Sequence, residues 1–236
     1  MVIIVAVVGL VIGSFANVCV LRSQQDESLL VPSHCPSCNH PIAWYDLIPV
    51  ISFCFLRGRC RYCKNSISPL YPMVEILLGG MYGLLFWQFG LSTVTFYFCG
   101  VVFFLAIIGI GDLLYTEIDD RHIIGSLIWI FGWKIYFGIW TIALTGAIIG
   151  MLAGTLIFAF GRWFYGEVVF GSGDVFLSAV MGALGGYDRF LPIYILAWSL
   201  MLLLALGLKL FHLPKHRPIF VPFAPVLILS WLMMFQ

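Results

Sequence analysis

The sequence predicts an all-α polytopic membrane protein of about eight transmembrane helices with one cytoplasmic loop domain. Two observations carry this. The 236 residues are 62% hydrophobic and only 10% charged, with a mean hydropathy of +1.05, more apolar surface than a soluble domain needs. Apolar runs of about 20 residues, the length that crosses a bilayer, also recur along the chain. Net charge is +1, which argues against nucleic acid as a partner.

The predicted spans are 2–21, 71–90, 93–111, 123–140, 141–161, 174–187, 190–211 and 219–235. The sixth is short, and the join between the fourth and fifth is the weakest boundary; seven or nine spans fit the same pattern. Met1 to Leu21 lacks a basic start and runs directly into Arg22. It therefore reads as a retained span rather than a secretory signal.

Basic residues set the orientation. With Met1 outside, the inner segments hold Arg22, Arg57, Arg59, Arg61, Lys64, Arg121, Arg162, Lys209, Lys215 and Arg217; only Lys134 and Arg189 fall outside. That asymmetry puts the loops of the first group in the cytoplasm. The domain plan is then a first span (1–21), a cytoplasmic loop domain (22–70) and a helix bundle (71–236).

In the first span, Gly9, Gly13 and Ala16 suit close helix contact. Asn17 needs a hydrogen-bond partner in hydrocarbon and reads as packing glue before catalysis. Residues 22–70 are the one long polar stretch. They contain Cys35-Pro-Ser-Cys38 and Cys60-Arg-Tyr-Cys63, with 21 residues between the pairs. Two such knuckles supply the four thiolates of a tetrahedral zinc site. So small a loop cannot build its own core, so metal supplies much of its fold. Reducing cytoplasm disfavours the alternatives, disulfides or a redox pair. His34 and His40 adjoin the first knuckle but are not needed as ligands. Cys19, Cys54 and Cys99 read as small apolar residues.

The second span opens with Tyr71-Pro72-Met73-Val74-Glu75, where Pro72 suits a first helical turn. Glu75 is either an acid favoured by the helix N-terminus or a functional group facing the bundle interior. The third span delivers Asp112, followed by Glu117, Asp119, Asp120 and Arg121. Asp112 is nearest the apolar run, but Asp119 lies seven residues on and can share its helical face. The fifth span carries Gly146, Gly150 and Gly154, a stripe for tight helix approach. Gly171-Ser172-Gly173-Asp174 opens the sixth. A carboxylate at bilayer depth costs about 2.5–3.5 kcal/mol, so Asp174 needs a partner or a task. His212, Lys215, His216 and Arg217 form a basic anchor. Pro222 and Pro225 mark an interrupted start to the last span, whose free backbone must be buried in protein.

Five of these features, in this order, resemble the type IV prepilin peptidase family over essentially the whole chain. They are Gly13-Ser14-Phe15-x-Asn17-Val18, the double Cys-x-x-Cys loop, Tyr71-Pro72-x-Val74-Glu75, Gly171-x-Gly173-Asp174 and Pro222-Phe223-x-Pro225. The resemblance implies an inner-membrane aspartic endopeptidase that cuts leaders from prepilins or pseudopilins at the cytoplasmic face. It further implies N-methylation of the new N-terminus by S-adenosylmethionine, and work alongside the pilus or type II secretion machinery. It selects Asp112 and Asp174 as the catalytic pair, because the family segment Asp-x-x-x-x-x-Ile/Leu-Pro-Asp maps onto Asp112 to Asp120. Glu75 is the candidate residue for methyl transfer. Three positions depart from the pattern: Asp119 for Pro, Phe176 for a common Lys, and Ala224 for Gly.

Two carboxylates in one site titrate as a unit and keep one proton between them. A helix N-terminus favours a charged Asp174 and so places that proton on Asp112. Three other readings use the same residues. They are a Gly-x-Gly-Asp intramembrane protease without methyl transfer, a proton-coupled transporter, and a non-enzymatic assembly factor whose zinc loop binds a secretion ATPase. The zinc loop and the Tyr-Pro-x-Val-Glu segment argue against the first. The absence of an internal repeat argues against the second.

Overall fold

The computed structural model describes residues 1–165, 171–210 and 223–233. The basic anchor at 212–217 and the first proline of the last span, Pro222, lie outside them. Among the described residues the chain is helical, without a strand: α1 (Val2–Gln25), α2 (Ile51–Phe55), α3 (Leu70–Phe89), α4 (Thr93–Tyr115), α5 (Asp120–Tyr136), α6 (Trp140–Tyr165), α7 (Ser172–Leu210) and α8 (Phe223–Met233). Among the described residues, four helices are long and apolar enough to cross a membrane: Val2–Gln25, Leu70–Phe89, Thr93–Tyr115 and Trp140–Trp163. The chain divides into two units, Met1–Ile107 and Ile108–Gln236, with the boundary inside α4.

In the first unit, α1 packs along α3 through small residues. A Cβ on Gly9 would meet the Leu78 carbonyl oxygen at 2.7 Å, and one on Gly13 would meet Glu75 Cα at 2.7 Å. Any larger side chain would push the helices apart, so these glycines set the crossing. Asn17 Nδ2 donates to the Tyr71 carbonyl oxygen at 3.2 Å, which agrees with packing glue. Beyond the expected end of the first span, α1 continues to Gln25 and stops where Asp26 turns left-handed (φ 51°). Arg22 is buried, and its guanidinium donates to the carbonyl oxygens of Ser28 and Val31. The expected inner-face cation thus also ties the loop to the helix end.

In the second unit the seam is between α6 and α7. Gly146 and Gly182 abut backbone to backbone, as do Gly150 and Ser178, and neither glycine of α6 has room for a Cβ. The stripe Gly146, Gly150 and Gly154 is therefore packing surface, and it fixes the first half of α7.

The weakly bounded fourth and fifth spans are separate helices, with a connection at residues 137–139. The expected sixth and seventh spans correspond to the two helices that meet within Ser172–Leu210 at a kink, where Gly186 is non-helical (φ 72°, ψ 178°). Only glycine adopts that conformation without strain. Lys134 Nζ donates to the Leu184 carbonyl oxygen at 3.4 Å, compensating a carbonyl near the break. Ser178 Oγ and Tyr194 Oη lie 2.8 Å apart, so the two halves of α7 are pinned across the break.

Candidate active site

The second unit brings two acidic segments together. Asp112 lies in the last turn of α4 and is buried, with 7% of its surface exposed. The connection to α5 holds three further acids with other fates. Glu117 and Asp120 are exposed. Asp119 caps α5: its Oδ1 accepts the Arg121 backbone N–H at 2.8 Å, and its Oδ2 accepts from Arg121 Nη2 at 2.7 Å. Burial opposes ionisation of Asp119, but Arg121's side chain and backbone N–H hold the carboxyl below the usual carboxylate range. Asp119 is thus committed to a cap and an ion pair, whereas Asp112 points into protein.

Asp174 occupies the third position of α7, where its Oδ2 reaches back to the Gly171 N–H at 3.1 Å. That is the acidic half of a capping box, in which a first-turn carboxylate satisfies an orphan amide at the helix start. The glycines beside it have separate reasons. A Cβ on Gly171 would crowd Asp174 Oδ2 at 3.3 Å, and one on Gly173 would strike Ile118 Cβ at 2.9 Å. Gly173 therefore admits the side chain of the loop that follows Asp112. By this approach the Asp112 carboxylate comes within Coulombic reach of Asp174. Asp174 Oδ1 is buried and accepts no hydrogen bond among the described residues.

The sequence reading missed one contributor. The backbone N–H of Ala224 donates to Asp112 Oδ2 at 2.8 Å in a buried contact. Ala224 is the second residue of α8, whose first four N–H groups lack partners within the helix. The signal was the proline-marked helix start; which carboxylate it served was not readable. Asp112 thus also receives a helix N-terminal amide, and the ground for placing the proton on Asp112 rather than Asp174 disappears. Of the three departures from the family pattern, Ala224 acts through its backbone, which any non-proline residue supplies. Asp119 has the cap described above, and Phe176 is exposed.

The first unit contains the other two sets of predicted residues. Each Cys-x-x-Cys turn closes the same way. Cys35 N–H donates to the His40 carbonyl oxygen at 3.0 Å and Cys60 N–H to that of Asn65 at 2.8 Å. Asn39 (φ 55°) and Lys64 (φ 61°) turn left-handed at matching places. Sγ atoms of Cys35, Cys38, Cys60 and Cys63 all lie within 4.8 Å of one another, and the Cys35–Cys63 pair is 3.9 Å apart. A tetrahedron with Zn–S bonds of about 2.3 Å has sulfurs about 3.8 Å apart, so the set fits zinc. Backbone N–H groups of Cys63 and Tyr62 pull Cys60 down to about 6, toward the thiolate that metal binding requires. Between residues 26 and 69, Cys35 is the one buried residue, as expected of a loop held by metal rather than by a core. Asp46 and Arg61 brace it with paired bonds of 2.7 and 2.6 Å. Cys19 is buried, Cys99 half-buried and Cys54 exposed.

Glu75 is buried in the second turn of α3. Its Oε2 accepts the Val50 N–H at 2.7 Å, and Ser14 also bonds its side chain. Val50 adopts φ 61°, ψ −48°, a conformation in which a β-branched residue is strained. Beside Glu75 is a cavity of about 150 Å³.

The second unit thus has the character of a helical membrane protein in which half-buried Asp174 lies within electrostatic reach of buried Asp112. Residues 7–89 match the Bacterial Peptidase A24 N-terminal domain and residues 98–207 the Type IV leader peptidase family. The chain is 32% identical to the Prepilin leader peptidase/N-methyltransferase of Stutzerimonas stutzeri, over 95% of this chain and 86% of that protein. It is 33% identical to the protein of the same name from Neisseria gonorrhoeae, over 85% and 79%. The Bacillus subtilis protein so named is 28% identical over 95% and 89%. No solved structure matches significantly. The chain belongs to the Type IV leader peptidase family.

Proposed function

We propose that this chain cleaves the leader peptides of type IV prepilins or pseudopilins with Asp112 and Asp174 as a water-activating pair. The observation that carries the reading is that the two carboxylates lie within electrostatic reach, with Asp174 Oδ1 unpartnered among the described residues. One carboxyl is protonated and the other ionised. The ionised group takes a proton from water as the water oxygen attacks the scissile carbonyl carbon. The protonated group donates to the carbonyl oxygen. When the C–N bond breaks, the leaving nitrogen takes a proton from the pair. The amides of Gly171 and Ala224 hold the outer carboxylate oxygens, which orients the other two toward substrate.

The names of the relatives support the prepilin substrate, and the pilus or type II secretion machinery follows as the setting. The proposed location is the bacterial inner membrane, with about eight spans, both aspartates at the cytoplasmic side and lipid around the bundle. Residues 1–21, 22–70 and 71–236 then serve as first span, zinc loop and peptidase bundle. Zinc would sit on Cys35, Cys38, Cys60 and Cys63 and hold the loop's fold. N-methylation with S-adenosylmethionine is proposed from the relatives' names alone. Glu75, which lines a cavity with Ser14, Asn17 and Tyr71, is the proposed residue for that second activity.

The test is cleavage of a purified prepilin by the protein in detergent or bilayer. Activity of the wild type that Asp112→Asn and Asp174→Asn each abolish is the expected result. Cleavage that survives either substitution removes the pair from the mechanism. A labelled methyl donor in the same assay reports the second activity.

A further inference from the structure

The sequence assigns residues 44–56 to a polar extramembrane domain, but the structure docks them on the membrane helices. Leu47, Phe53 and Leu56 line one cavity with Ser14, Val18 and Leu21 of α1. Val50 bonds Glu75, more than one turn inside α3. Ser14 to Leu21 belong to the apolar run 2–21. Ser14 is seven residues short of that run's end, about 10 Å along a helix rising 1.5 Å per residue. Residues 47–56 therefore lie level with a part of α1 that its own hydropathy puts in the bilayer.

The outward face of this segment is apolar. Ser52 and Phe53 of α2 and the following Leu56 turn inward, while Ile51 and Phe55, four residues apart, turn outward. Ile48 and Trp44 are also exposed, Trp44 at 77% and Phe55 at 84%. A loop facing water would carry polar groups there. The exposed Met73, Ile76 and Leu77 of α3, the helix on which Val50 docks, are apolar too, as on the lipid-facing side of a spanning helix. Tyr45 lies beside Trp44, with ring centroids 5.7 Å apart, and such rings favour the headgroup level. Arg57 and Arg59 follow Phe55 and are exposed. There they can reach anionic headgroups while Phe55 stays in the acyl region.

We infer that residues 44–56 form an interfacial membrane segment whose Trp44, Ile48, Ile51 and Phe55 face is covered by lipid of the leaflet at the α1 C-terminus. It follows that the zinc knuckles are held against the bilayer at a fixed height rather than hanging free. The inference depends on α1 and α3 crossing a membrane and not on the peptidase reading, and prepilin cleavage by the same samples is recorded separately.

The test uses the full-length protein labelled with 5-fluorotryptophan, in nanodiscs of phosphatidylcholine and phosphatidylglycerol. Trp44→Phe assigns the Trp44 fluorine resonance. The expected result is loss of that resonance with lipid bearing a nitroxide near the top of its acyl chain, and persistence with a water-soluble gadolinium chelate. The reverse pattern overturns the inference. So does lipid broadening that a peptide matching a prepilin's apolar helix relieves, since the face would then belong to substrate. Ile51→Ser with Phe55→Ser should weaken the lipid effect, and unchanged broadening in that folded variant also counts against it.

Discussion

Two acids near helix starts, buried Glu75 and half-buried Asp174, have opposite surroundings. Glu75 is met by the Val50 amide and by Ser14, and the space beside it is small. Asp174 has one oxygen held by the Gly171 amide, the other without a partner among the described residues, and a second carboxylate in reach. A buried acid whose bonds are satisfied stabilises the fold it sits in. A half-buried acid within reach of another, with one oxygen unpartnered among the described residues, is an arrangement that packing alone does not favour and that acid–base chemistry uses. A position near a helix start is shared by both; what distinguishes them is how completely the protein answers each carboxylate.

The sharpest way to break this comparison is the double variant Asp112→Asn, Asp174→Asn. General acid–base groups are worth about 10²–10⁴-fold each. If the two act as a unit, either single substitution removes essentially all prepilin cleavage, and the double costs no more than one single. Multiplying losses in a cleavage time course would show separate roles. Next in size is the metal. A structural zinc contributes much of the stability of its loop, so Cys35→Ser with Cys60→Ser should lower zinc content and expose residues 26–69 to protease. Full zinc content by elemental analysis would remove those cysteines from the site.

Glu75→Gln should destabilise the first unit by about 1–3 kcal/mol, the usual loss when a charged acceptor of a buried hydrogen bond is neutralised. Thermal unfolding in detergent reads this, with prepilin cleavage retained below the transition. Loss of cleavage in the folded variant would make Glu75 part of the chemistry and erase the contrast with Asp174. The smallest effect belongs to Asp119. Asp119→Ala removes an N-cap worth about 1 kcal/mol. Its folded-state carboxyl titrates below the value of about 3.9 in an unfolded chain, so it binds protons less readily when folded. That stabilisation is complete above the unfolded value and is lost as pH falls through the lower folded one. A wild-type advantage in melting temperature at neutral pH should therefore shrink below about pH 4, while cleavage at neutral pH stays unchanged.

Much of this was legible in sequence because it depends on local composition. Apolar runs of bilayer length marked α1, α3, α4 and α6, and the two knuckles marked four sulfurs whose meeting a tetrahedral metal demands. The Gly146, Gly150 and Gly154 stripe marked a helix seam. Other features depend on which surfaces meet. Asp112 and Asp119 have the same spacing logic, and only the Arg121 pair and the Ala224 amide separate them. Residues 44–56 read as polar loop because charged neighbours lower the average over the segment, while the apolar face emerges only once α2 is wound and docked. By itself the sequence determined the helices, the sulfur cluster and the acids that need an explanation, since hydropathy, spacing and the expense of buried charge act along the chain. Tertiary structure decided which acids are satisfied and which are paired, because hydrogen bonds such as Val50 to Glu75 and Ala224 to Asp112 join residues far apart in sequence. Gly173 shows the link between the two levels: a missing side chain in a four-residue motif becomes the space that Ile118 fills beside the aspartate pair.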